Sequence, residues 1–302
     1  LLAVAGARCA LAVATLLGAF ASVERTASAC AACGCGDPTL TVMGSEKPFA
    51  GRFRTALTGS WRRDTMGYAG EDEVVLTERR LDLRLAWAPA PWVFLEAGVP
   101  PLRRETRDVT LAEARTTGLG DAELRAKLFV YQDDVRPTHL IAITPGVQLP
   151  TGQLQRDANG DLLPMEAQPT AGVFSALLGV SYAFFAEPWS FYTSLNGSHP
   201  LGEVEGFRLS SSLRGTLALQ YQALDWLAVR AGPDFRVDSK ARDSGASDPH
   251  SGGFIAFATA DVVVSPFEDW LFGGGVNLPV VNALDGRHEE SPIWRASVTA
   301  DW

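Results

Sequence analysis

Cys30, Cys33 and Cys35 stand in the run Cys30-Ala31-Ala32-Cys33-Gly34-Cys35, a C-x-x-C-x-C whose small spacers let three sulfurs turn toward one point. Three soft thiolates so placed would hold Cu(I), or Zn(II) with a fourth ligand. In an oxidising compartment the same residues can instead form a disulfide with one thiol left over. Redox exchange, assembly and lipidation are further uses, and all of these stay open. Met43 is a further soft donor downstream, and no cofactor beyond the thiol cluster is expected.

Acid–base chemistry has little to work with. The histidines are His139, His199, His250 and His288, and none stands with Ser and Asp or Asn in a nucleophile motif. Ser198 and His199 are adjacent, so on a strand their side chains take opposite faces. No catalytic residue is expected, and the chain does not read as an enzyme. Asp157-Ala158-Asn159-Gly160-Asp161 opens like a calcium loop, but the twelfth position is Gln168 where Glu is required. A tight polar turn is the expectation there.

Charge set out in rows is the more extensive pattern. Arg80, Asp82 and Arg84 alternate with Leu81, Leu83, Leu85 and Trp87. Asp121, Glu123, Arg125 and Lys127 alternate with Ala122, Leu124, Ala126 and Leu128. Arg230, Asp234 and Arg236 alternate with Leu227, Val229, Ala231, Phe235 and Val237. Near residue 300, Arg295, Ser297, Thr299 and Asp301 alternate with Trp294, Ala296, Val298, Ala300 and Trp302. Period two means strands, each with one apolar and one charged face. A charge facing lipid costs about 2–4 kcal/mol for Arg or Lys at mid-depth, so the apolar face meets lipid and the charged face meets a lumen. Arg80, Asp82, Arg84, Asp121, Glu123, Arg125, Lys127, Arg230, Asp234, Arg236 and Arg295 are therefore the predicted lumen lining. Both a salt-bridged network that fills a narrow barrel and a polar path with a constriction fit these rows.

The elements that must carry the rows number about twelve: 52–62, 76–88, 92–102, 119–131, 138–149, 171–184, 189–198, 207–221, 226–237, 253–265, 269–280 and 292–302. Connections at 89–91, 132–137, 185–188, 222–225 and 266–268 are short, and those between them are mostly much longer. Short periplasmic turns, long outer loops and an even strand count describe an all-β, antiparallel outer-membrane barrel with both termini in the periplasm. Trp87, Trp92, Trp189, Trp226, Trp270 and Trp302 gather at the short-turn end, and Trp61 and Trp294 fall near the other, as aromatic girdles do. Pro100, Pro150 and Pro279 each follow a Gly-Val-containing stretch and are predicted to end strands, since proline cannot donate to a ladder. The aromatic Trp302 is also the feature that barrel-assembly machinery reads.

Ahead of the barrel, 10–20 is an apolar h-region after Arg8, and Ala27-Ser28-Ala29 supplies a signal-peptidase site. The expected organisation is a signal peptide at 1–29, a Cys-rich periplasmic arm at 30–50 and a barrel at 51–302, in the outer membrane of a Gram-negative bacterium. Cleavage two residues later, before Ala32, is the alternative. A net charge of −9 argues against nucleic acid. The expected partners are outer-membrane lipid, the assembly machinery and small solutes.

Gly118-Leu119-Gly120-Asp121, Leu149-Pro150-Thr151-Gly152, and Leu278-Pro279 leading to Leu284-Asp285-Gly286 occur in an order that resembles a known family. It is the bacterial outer-membrane transporter family of the phenol-degradation meta pathway, and the resemblance spans roughly 50–302. It implies a single barrel that passes small aromatic or hydrophobic solutes without catalysis. The Cys-rich arm departs from that pattern and supports a rival reading, a periplasm-facing copper or redox accessory anchored by the barrel.

Overall fold

Each period-two segment becomes a strand, and each strand pairs with its neighbour in sequence. The computed structural model describes residues 51–302 apart from 68–69, 72, 110–112, 134–136 and 250. The predicted segments 1–29 and 30–50 lie outside the described residues, as do Cys30, Cys33 and Cys35.

Twelve antiparallel strands close into one barrel. Strand β1 is Phe53–Met66 and β2 is Val74–Ala90. Strand β3 comprises Val93–Val99 and Pro101–Asp108, and β4 comprises Glu113–Leu119 and Ala122–Gln132. Then follow β5 (His139–Leu149), β6 (Ser175–Ala186), β7 (Trp189–Pro200) and β8 (Ser212–Leu224). The last four are β9 (Leu227–Asp238), β10 (Gly253–Phe267), β11 (Trp270–Leu284) and β12 (Ile293–Asp301). The ring closes where β1 pairs with both β2 and β12, with Leu57 opposite Leu83 on one side and Val298 on the other. Closure leaves no unpaired edge. Beyond the last ladder residue, Trp302 N donates to Phe53 O at 2.8 Å and Phe53 N donates to Trp302 O at 3.2 Å.

The alternation is inside out relative to a soluble sandwich. Leu81, Leu83 and Leu85 are exposed, whereas Arg84 between them is buried. Leu217, Leu219 and Tyr221 on β8 do the same around buried Ala218 and Gln220. A continuous apolar exterior of this kind belongs against lipid. The short connections collect at one end, where Trp270 and Trp302 meet edge to face at 6.3 Å and Asp301 N bonds to Asp269 O in the 268–269 turn.

Two of the three proline expectations need correction. Pro150 does follow the end of β5, but Pro100 only interrupts β3, which runs on to Asp108. Pro279 lies inside β11, opposite Phe257, where the register shifts between Ala256 and Phe257. A bulge absorbs the missing donor, so the strand survives. The expected long connection at 103–118 is for the same reason mostly hairpin, with Pro101–Asp108 paired to Glu113–Leu119.

Inward positions at the short-turn end are mostly apolar and tightly packed, with buried Arg54 and Glu96 among them. Ala56, Ala86, Ala88, Ala142, Ala183 and Ala218 leave room on the wall for Phe94, Phe129, Leu140 and Tyr192. Phe94 and Phe129 meet edge to face at 6.0 Å, as do Phe185 and Tyr192 at 5.9 Å. These rings and alanines, contributed by β1 to β8, form an apolar layer at that end, the floor of the lumen.

Candidate functional site

Above that floor the lumen holds a cavity of about 540 Å3. Its wall carries nine arginines (Arg62, Arg80, Arg84, Arg104, Arg125, Arg214, Arg230, Arg236 and Arg295) against five carboxylates (Glu78, Asp82, Asp121, Glu123 and Asp261). Among the wall residues positive charge is thus in excess, although Arg62 and Arg236 also pair with Asp64, Asp238 and Glu290 set behind the wall.

The excess has a repeated geometric cause, which is one carboxylate set between two guanidiniums. Glu123 Oε2 accepts from Arg84 at 3.2 Å and Arg125 at 3.1 Å. Asp261 accepts from Arg230 at 3.2 Å and Arg295 at 2.9 Å. Glu78 accepts from Arg62 at 3.1 Å and Arg104 at 2.6 Å. Buried ions persist only when paired and hydrogen-bonded, and each triad meets that demand. The Glu123 and Asp261 triads keep one positive charge over, whereas Arg62 of the Glu78 triad is shared further with Asp64 at 3.1 Å. Arg80 pairs with Asp82 at 2.7 Å along its own strand. Arg214 differs: among the described residues no carboxylate lies within salt-bridge distance of it, and it faces Arg236 across the β8–β9 ladder. Its side chain is water-accessible on the cavity wall.

The remaining predicted residues take other places. Lys127 is buried, off the cavity wall, with its ammonium 5.9 Å from the Phe129 ring centroid, where the charged belt meets the floor. Asp234 is buried, also off the wall, and accepts from Asn277 Nδ2 at 3.4 Å. Asp121 reaches the wall, but its carboxylate is used to hold the 150–174 connection. It accepts from Thr170 Oγ1, from Ala171 N at 2.7 Å and from Gly152 N at 3.3 Å. Pro169, Thr170 and Ala171 of that connection border the cavity and narrow it. Gln168, fully buried, ties the connection internally by accepting from Gln155 N and donating to Gln155 O, both at 2.8 Å. The Asp157 turn is closed by its own side chain, whose Oδ1 accepts from Asn159 N at 2.8 Å and Asp161 N at 2.9 Å.

Arg62, Glu78, Arg104, Arg214 and Asp261 were missed from sequence. Glu78 stands two before Arg80, so extending that row would have found it. Asp261 is a lone charge in an otherwise apolar and hydroxyl inward row, and Arg104 lies beyond Pro100, where the strand was expected to end. His199 Nδ1 lies 2.7 Å from Ser211 Oγ on an exposed surface, with no carboxylate bonded to the ring among the described residues.

No protein-family model and no curated protein matches the chain. Solved structures do. An outer membrane channel from Pseudomonas putida F1 aligns with TM-score 0.69 at 12% identity, over 85% of this chain and 98% of that one. The translocator domain of autotransporter NalP from Neisseria meningitidis aligns with TM-score 0.50 at 12% identity, over 91% and 99%. The transport unit of autotransporter AIDA-I from Escherichia coli gives 0.51 at 7% identity, over 85% and 92%. At these identities the likeness is one of fold: this chain has the twelve-stranded barrel of outer-membrane proteins.

Proposed function

We propose that this protein is a passive outer-membrane channel for small anionic solutes. The observation that carries the reading is the arginine excess on the cavity wall, with Arg214 held without a carboxylate partner among the described residues. A positive, partly desolvated wall concentrates anions and repels cations. The resemblance to phenol-pathway transporters and the P. putida channel fold both favour solute passage over catalysis. The wall chemistry favours a carboxylate or phosphate solute over an aromatic hydrocarbon. In this reading the short turns and the N-terminal side are periplasmic, and β1 is followed by an outer loop.

The test is the reversal potential of the purified barrel in planar bilayers under a KCl gradient. It should report preference for chloride, and Arg214→Glu should move it toward cation selectivity without loss of folded barrel. Cation preference in the parent protein would sink the proposal. Liposome swelling with graded carboxylates then sets the size limit.

Trp302 serves assembly in the same reading. It closes the seam through Phe53, its indole Nε1 reaches Thr55 Oγ1 at 3.3 Å, and its ring lies at the interfacial girdle. Trp302→Ala should lower the yield of heat-modifiable barrel in membranes, and an unchanged yield would remove this role.

A further inference from the structure

At the outer rim of the lumen four carboxylates meet four guanidiniums, one of them Arg214 opposite Arg236. Arg62 is shared by Glu78 at 3.1 Å, Asp64 at 3.1 Å and Glu290 at 4.0 Å, while Arg236 serves Glu290 and Asp238 and Arg104 serves Glu78. Two of these carboxylates are deeply buried, Asp64 at 1% and Glu290 at 4% exposed. Each has a guanidinium partner, but a buried polar atom left without any partner is costly and calls for one.

The orphan atoms show where. Asp64 Oδ1 is buried with no hydrogen-bond partner, and so is His288 Nε2. The ligand atoms of Asp64, His288 and Glu290 lie within 4.8 Å of one another. Two donors each about 2.1 Å from one ion stand roughly 3–4 Å apart, so small adjustments suffice. Backbone pairing fixes the three in place. Asp64 is opposite Glu290 and Thr65 opposite Glu289, Ser291 N donates to Arg63 O at 2.9 Å, and Asn282 Nδ2 donates to His288 O at 2.9 Å. Asp64 lies about 10 Å beyond Trp61 along β1, on the mouth side of the upper girdle.

We propose that Asp64, His288 and Glu290 bind a first-row divalent metal ion of the Zn(II) type at the outer mouth. Two carboxylates and one imidazole suit such an ion, and the imidazole disfavours Ca2+ and Mg2+. Three protein ligands leave a fourth position for water. Arg62 on Asp64 and Arg236 on Glu290 then act as outer partners that orient the ligating carboxylates. The ion would satisfy Asp64 Oδ1 and His288 Nε2 and clasp the 285–292 connection to β1. The site is independent of the channel reading, because binding is measured without transport.

The test uses the full chain with Cys30, Cys33 and Cys35 changed to Ser, so that no thiol competes. The folded barrel, verified by heat-modifiable migration, is titrated with ZnCl2 by calorimetry and with CoCl2 by visible absorption. One Zn(II) per barrel is expected, and the Co(II) spectrum should lack thiolate charge-transfer bands. Asp64→Asn keeps the shape of the side chain and should abolish binding, as should His288→Ala. Arg236→Gln should weaken it roughly tenfold or more, the usual loss when an outer partner goes. If one ligand variant misfolds, the other carries the comparison. A folded parent barrel that takes up no Zn(II), or a folded ligand variant that binds as tightly as the parent, overturns the assignment.

Discussion

Replacing Phe94 and Phe129 together by Ala should raise the unitary conductance of the barrel several-fold. The two rings meet at 6.0 Å beside a wall of alanines, and both are buried in the floor of the lumen. Ions cross such a layer slowly, because apolar packing offers little replacement for their water. Each ring occupies the space of several waters, one water needing about 30 Å3, so the double variant opens a wet path through the floor. Loss of a buried Phe costs about 3–5 kcal/mol in a sealed core. Hydration of the new space offsets part of that, and twelve closed strands supply the rest of the framework. The measurement is single-channel current on protein first shown to be folded by heat-modifiable migration. An unchanged conductance in the folded double variant would mean that solutes do not cross the barrel through this floor.

Val298→Arg should nearly abolish recovery of folded barrel from membranes, whereas Ser297→Arg should leave most of it. Val298 faces outward between Leu57 and Phe272, and Ser297 lies on the cavity wall. Trp294 and Trp302 on the same outward row are about 26 Å apart along a tilted strand, close to the height of an outer-membrane apolar band. Val298 is midway between them, where a guanidinium in lipid costs about 2–4 kcal/mol. The neighbouring Arg, one residue away, points into a cavity that already holds arginines. Equal yields of the two folded variants would show that inward and outward faces are misassigned. Thr299→Arg is not the right control, although it too points inward. Thr299 is 1% exposed, so an added guanidinium there would be overpacked as well as charged.

The strand count and the phase of every charged row were legible because period two is a local property. Leu81 and Arg84 declare their faces whatever lies across the barrel. Strand ends were less legible, since a proline at 100 or 279 reads as a stop until a neighbour supplies a break or a bulge around it. The floor was within reach: Phe129 continues the row of Arg125 and Lys127, and following that row past its last charge leads directly to it. The triads were not, because Asp261 and Arg295 become neighbours only through the register of β10, β11 and β12. The same holds for Asp64 and His288, which come together only when the barrel closes. Asp121 illustrates a different limit. Its inward side was readable, but its engagement with Thr170 and Ala171 depends on how the 150–174 connection folds back.

The charged belt and the mostly apolar floor divide the lumen along its axis, and a channel so divided would act as an electrical diode. Arginines face one compartment and a poorly hydrated constriction faces the other. A voltage that drives anions from the mouth toward the floor accumulates them against the arginines, while the opposite polarity empties that reservoir. Current at equal and opposite voltages should therefore be unequal, and the direction of the stronger current gives the orientation of the barrel in a bilayer without any chemical label.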